Sequence, residues 1–131
     1  MIKKIIIGTI AVFIAISILD FVIHSLLLMG LYEETKNLWR PMEEIKIWVN
    51  YLVILIFSFS FVYIYAKLIT PKSIKNSFLY GLLFGIASGV TMGYGTYSFM
   101  PIPYLLAASW FWTTVIELSI CGILVGLVIK D

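Results

Sequence analysis

Four runs of about twenty apolar residues constrain this chain more than any other feature: roughly residues 5–29, 48–68, 78–100 and 105–129. A helix of that length matches the hydrocarbon thickness of a bilayer. The connections between runs are short, so neighbouring helices are expected to be antiparallel. The predicted fold is an all-α membrane protein. It is a single domain, residues 1–131, built as an antiparallel bundle of four transmembrane helices with a short amphipathic outer segment. Charged residues make up 12% of the chain, against about 25% in soluble domains. No aqueous segment is long enough for a separate catalytic or binding domain. A net charge of +2 is too small to argue for nucleic acid. The opening Met-Ile-Lys-Lys and its apolar run resemble a signal peptide. The run exceeds a signal h-region and no A-x-A-like site follows, so an uncleaved first span is expected.

Basic residues set the expected orientation. Lys3, Lys4, Lys67, Lys72, Lys75 and Lys130 fall on one side with Asp131, giving +5. Lys36, Arg40 and Lys46 fall on the other with Glu33, Glu34, Glu43 and Glu44, giving −1. Positive loops stay inside, which predicts an inner-membrane protein with both termini cytoplasmic. The outer segment, 31–46, and the residue after it carry Leu38, Trp39, Met42, Ile45 and Ile47 at near-helical spacing. It predicts a short interfacial helix with Trp39 and Trp48 as anchors, interrupted at Pro41. Pro101 and Pro103 predict a stiff turn between the third and fourth spans.

Gly81, Gly85, Gly89 and Gly93 recur every four residues, so they form one bare ridge on the third helix. Four glycines would weaken a soluble helix by roughly 1 kcal/mol each. In lipid the same ridge permits close helix packing. The fourth span carries a second ridge, Ser119, Gly122 and Gly126, and the first has Gly8, Ala11 and Ala15. Packing inside the bundle and homodimerisation both use such ridges.

Three ionisable residues lie within spans: Asp20, His24 and Glu117. A charge at mid-bilayer costs about 3 kcal/mol or more, so such groups turn inward and find partners. Asp20 and His24, four apart, share a helix face. Asp20 and Glu117 lie roughly 22 Å and 18 Å above the cytoplasmic ends of their helices, within about one turn of each other. Trp110, Thr113, Thr114, Glu117 and Cys121 occupy one broad face of the fourth helix. Thr91, Tyr94 and Ser98 form a stripe on the third, and Asn50 and Tyr51 open the second. A polar pocket in the outer half follows, with Asp20, His24, Glu117, Thr113, Thr114 and Tyr94 as ligand or proton-site candidates. Asp20, His24 and Glu117 also suit a divalent metal by donor type. An interhelical hydrogen bond and a proton relay are the other readings. For Glu117, a bond to Thr113 or Ser119 of its own helix is a further alternative. A lone Cys121 reads as a small buried apolar residue.

The stretch DFVIHSLLLMGLYEETKNLWRP, with MPIPYLLAASW and a glutamate in the last span, resembles small four-span membrane proteins of bacteria with no established activity. That resemblance implies Asp20, His24, Tyr32, Trp39, Arg40 and Glu117 as the positions to test. GVTMGYGTYSF at 89–99 is similar to the third span of the small fluoride-channel family, also four-span. Asp20 and Glu117 beside an anion path would oppose conduction, and the first span lacks that family's glycine-rich opening with arginine.

No C-x-x-C, H-E-x-x-H, Walker A or G-x-S-x-G sequence occurs, and a single histidine excludes bis-His haem within one chain. Three functions are expected in descending order. The first is binding or transport of a cation or proton at the Asp/His/Glu site. The second is an accessory subunit that docks to a larger membrane complex, or to its own copy, through the glycine ridges or the outer segment. The third is an intramembrane enzyme, for which no nucleophile or cofactor motif speaks.

Overall fold

In a computed structural model covering residues 1–131, the chain is helical with no strands. Helix α1 spans Ile2–Asp20 and continues as a π-helical segment, Phe21–Leu27. Helix α2 is short, Met29–Glu34. Helix α3 spans Ile47–Leu68, α4 spans Ile74–Val90 and continues as a π segment, Thr91–Gly95, and α5 spans Tyr104–Val128. Four of these segments are long and apolar enough to cross a membrane: Ile2–Leu27, Ile47–Leu68, Ile74–Gly95 and Tyr104–Val128. The protein is therefore an all-α, four-helix membrane protein.

Three of the spans lie within a few residues of the expected ones. The third begins four residues early, because Ser73 caps it. The Ser73 Oγ accepts the Asn76 N–H at 3.1 Å, satisfying a donor that the first turn leaves free. The outer segment also differs. Its α-helix lies at Met29–Glu34, followed by 3₁₀ turns at Lys36–Leu38 and Met42–Glu44. Pro41 holds an extended ψ of 150° between the two turns. Leu31, Tyr32, Leu38 and Trp39 pack against Ile23, Leu28, Ile102 and Leu106, while Glu33, Glu34 and Lys36 face out. Trp39 is thus a half-buried packing residue of this small cluster. Trp48 is exposed.

Both chain ends and the α3–α4 connection meet at one end of the bundle. Lys4 Nζ donates to the Lys130 carbonyl at 2.8 Å, and the Lys72 N–H to Asp131 Oδ2 at 3.1 Å. The opposite end carries α2, the 3₁₀ turns and the Pro101–Pro103 turn; it is called the loop end below.

The glycines of α4 face α5 at backbone distance. A Cβ on Gly85 would stand 2.9 Å from the Val115 Cα, and one on Gly89 2.9 Å from the Phe111 carbonyl. Gly81 lies against Gly122, and Gly93 against Ala107. Gly126 accommodates the Ser77 side chain. The α4–α5 seam accordingly excludes even a methyl group. Helix α1 packs on α3 and α5. Aromatic rings join α3 to α4: Phe61 stands 4.7 Å from Tyr80 and 5.3 Å from Phe84, centroid to centroid. The Tyr80 hydroxyl donates to the Phe61 carbonyl at 2.7 Å. The core toward the terminal end includes Val12, Phe61, Val62, Tyr65, Cys121 and Val125, all essentially inaccessible.

Gly85→Ala is expected to destabilise the detergent-solubilised protein by about 1–3 kcal/mol, since Val115 backbone cannot yield to the new methyl. Gly30→Ala, where nothing lies within 4 Å, should leave the melting temperature unchanged or slightly raised. Thermal unfolding followed by circular dichroism distinguishes them.

Candidate functional site

A cavity of about 480 Å³ lies among α1, α3, α4 and α5 in the half of the bundle nearer the loop end. Its polar lining comprises Ser17, Asp20, His24 and Ser25 of the first span, Asn50 and Tyr51 of α3, Ser88 of α4, and Thr113, Thr114 and Glu117 of α5. Ile16, Phe21, Ile54, Phe57, Met92 and Leu118 supply most of the apolar wall. No lysine or arginine lines it.

The carboxyl groups of Asp20 and Glu117, from two helices, face one another and interact directly. The Thr113 hydroxyl donates to the Ser109 carbonyl at 2.7 Å, and the Ser119 hydroxyl to Val115 at 2.7 Å. No hydrogen bond joins Glu117 to either hydroxyl, and the side chain it meets is that of Asp20. Asp20 Oδ1 lies 3.7 Å from His24 Nε2, an ion-pair distance too long for a direct hydrogen bond.

On its other side His24 Nδ1 stands 2.6 Å from the Tyr32 hydroxyl, and Trp110 Nε1–H donates to that same oxygen at 2.7 Å. An indole N–H is only a donor. The Tyr32 oxygen therefore accepts from Trp110, while the direction of its bond with His24 Nδ1 follows the imidazole tautomer. The other ring nitrogen, Nε2, faces Asp20. A single polar chain results: Trp110, Tyr32, His24, Asp20, Glu117. Trp39 closes it from the loop side, edge-on to Tyr32 (5.9 Å, 87°) and 6.0 Å from Trp110. Its Nε1–H is held by Thr35 Oγ1 at 2.9 Å. Burial pushes the Tyr32 phenol above the ordinary tyrosine range, with the Asp20 charge adding to the rise and the Trp110 hydrogen bond opposing it.

Two expectations need correction. Asp20, His24 and Glu117 are not arranged as a three-donor metal set. One His24 nitrogen is taken by Tyr32 and the other stands 3.7 Å from Asp20. A metal site requires donors converging on one point at about 2.0–2.2 Å. Tyr94 is not at the cavity. Its hydroxyl pairs with that of Tyr104 at 3.3 Å and its ring packs on Phe111, because the π segment turns it across the α4–α5 seam. Thr91 and Ser98 likewise bond to their own helix, at Ala87 and Gly95. Thr113 and Thr114 do line the cavity, as do Asn50 and Tyr51. Cys121 lies buried in the core.

Sequence reading missed two participants, Ser17 and Ser88, and reached Tyr32 only through the resemblance. Ser17 precedes Asp20 by three residues and so shares its face, a signal that was present. Ser88 lies one residue before Gly89, beside the bare ridge. The bonding role of Tyr32 depends on α2 folding back over the bundle, which no local pattern encodes.

Fold and site together define a class: a four-helix membrane protein with a paired-carboxyl cavity roofed by aromatic residues. No protein-family model, curated protein or solved structure matches the chain.

Tyr32→Phe leaves His24 Nδ1 and Trp110 Nε1 without partners, and is expected to cost about 1–3 kcal/mol of stability. In the native protein the folded-state Tyr32 ionises above the unfolded value of 10.0. Its stabilising contribution is thus complete below pH 10.0 and declines as pH rises beyond it. Thermal melts across that range should show the decline in wild type and a flatter profile in Tyr32→Phe.

Proposed function

We propose that this protein binds a cation, or protons in its place, at the Asp20–Glu117 pair. One observation carries the reading: two carboxyl groups from different helices face each other in a membrane-level cavity that no lysine or arginine lines. Two adjacent carboxyl groups in such a cavity cannot both ionise freely. The pair must share a proton or take up a cation, and His24 is the one nearby basic group. The packed core beneath the cavity, around Phe61, Val62 and Tyr65, speaks for a site loaded from the loop end and against an open pore. The glycine ridge of α4 is buried against α5, so docking to a larger complex draws no support from it.

Infrared titration of the carboxyl bands in purified protein tests this. Wild type should titrate in two separated steps, with Asp20→Asn and Glu117→Gln each leaving one step at a shifted midpoint. If removing one carboxyl leaves the midpoint of the other unmoved, the reading fails.

The reading places both termini in the cytoplasm, on the charge asymmetry between the two ends, with the cavity opening to the outer side of the membrane. The native thiol, Cys121, is buried, so introduced cysteines can be probed alone. A membrane-impermeant maleimide added to intact cells should label Gly30→Cys and spare Lys130→Cys; the reverse pattern inverts the topology.

A further inference from the structure

The cavity specifies more than charge. Building on the cation-site reading above, we infer that its ligand is a lipophilic ammonium: a protonated amine on an apolar body small enough for about 480 Å³. That volume lies within the range of small-molecule pockets, about 300–1,000 Å³. A bare divalent ion needs several oxygen or nitrogen donors on one point, and the acidic and imidazole groups here do not converge. An ammonium needs less: one anionic partner, acceptors for its N–H groups, and a wall for its carbon.

All three are present. Asp20 and Glu117 supply the negative charge. The Oγ of Ser17, one turn before Asp20 on the cavity wall, is buried and has no hydrogen-bond partner. An orphaned buried oxygen of this kind costs about 1–3 kcal/mol, and an N–H donor entering the cavity relieves it. Phe21, Tyr51 and Phe57 provide ring surface for the apolar body and for cation–π attraction.

Protons compete for the same carboxyls, so binding must weaken as pH falls. The titratable groups facing the pair are His24 from α1's π segment, Tyr51 from α3 and Cys121 from α5, with Tyr32 of α2 behind His24. Helix α4 contributes Ser88 and Met92, which do not titrate.

Benzylammonium is the test probe, and ethylbenzene is its neutral isostere. Equilibrium dialysis against the detergent-purified protein should show saturable benzylammonium binding at about pH 8 that weakens progressively as the pH is lowered through the carboxyl titration. Glu117→Gln and Asp20→Asn should weaken it at least about tenfold, and Glu117→Asp should retain it. Ser17→Ala should weaken it several-fold, about the worth of one hydrogen bond. Met92→Trp crowds the cavity without removing a carboxyl. It should abolish binding while the two-step carboxyl titration persists, which guards against misfolding as the cause. Ethylbenzene binding as tightly as the cation, or undiminished affinity in Ser17→Ala, overturns the amine assignment. So does benzylammonium failing to bind wild type, or magnesium or zinc ions displacing it stoichiometrically. If the carboxyl titration stays coupled in those cases, the amine assignment alone falls; if coupling is absent too, the cation-site reading falls with it.

Discussion

The close approach of α4 and α5 is the contact on which the rest depends. A bilayer offers no hydrophobic drive to join two helices, since lipid tails are as apolar as the side chains they replace. What remains is packing, and packing at this seam requires that no side chain stand between the backbones. Gly81, Gly85, Gly89 and Gly93 meet that requirement on one helix, and Gly122 and Gly126 on the other. The consequence reaches beyond the seam. With one side of α5 fixed against α4, the side bearing Glu117 is fixed toward α1 and Asp20. The seam also sets Ser88 and Met92 beside Thr113 and Thr114 on one wall of the cavity.

On that framework sits a polar chain that the membrane makes expensive. Each of its members would cost several kcal/mol alone in hydrocarbon. They are tolerated because each has a neighbour: Trp110 gives to Tyr32, Tyr32 bonds His24, His24 faces Asp20 and Asp20 faces Glu117. The chain is well satisfied at the Tyr32 end and loose at the carboxyl end, where 3.7 Å separates Asp20 from His24. Ser17 Oγ, with no partner at all, lies at the same loose end. Satisfaction of the polar groups falls off from Tyr32 toward the cavity.

The fold was legible in the sequence because its determinants are local. Apolar run length marks a span, a four-residue glycine period marks a bare helix ridge, and Pro101-Ile102-Pro103 marks a turn. Asp20 and Glu117 were legible for a related reason: an ionisable residue in a span must face inward, and counting along two antiparallel helices brings them to one level. The limits are equally physical. A stripe of Thr91, Tyr94 and Ser98 reads as one face only if the helix keeps 3.6 residues per turn, and the π segment Thr91–Gly95 breaks that count. Donor type alone suggested a metal for Asp20, His24 and Glu117. It could not show that Tyr32, eight residues beyond His24 and past the end of the span, takes one of the imidazole nitrogens.

The two π segments themselves occupy corresponding positions. Phe21–Leu27 ends the first span and Thr91–Gly95 ends the third, both toward the loop end. In the first, the Leu28 N–H reaches the Ile23 carbonyl at 2.8 Å, a five-residue step. Such turns give poorer backbone geometry than an α-helix, and they recur where function needs a helix locally re-aimed. Here the re-aiming has visible effects. Beyond Asp20 the wider turn carries His24 between Asp20 and Tyr32, so a single imidazole touches both. Beyond Val90 it leaves Met92 on the cavity wall while Tyr94 swings to Phe111 and Tyr104. An unbroken α4 would have continued the polar stripe of Thr91, Tyr94 and Ser98 along one face. The broken helix instead leaves Ser88 as its one polar residue in the cavity.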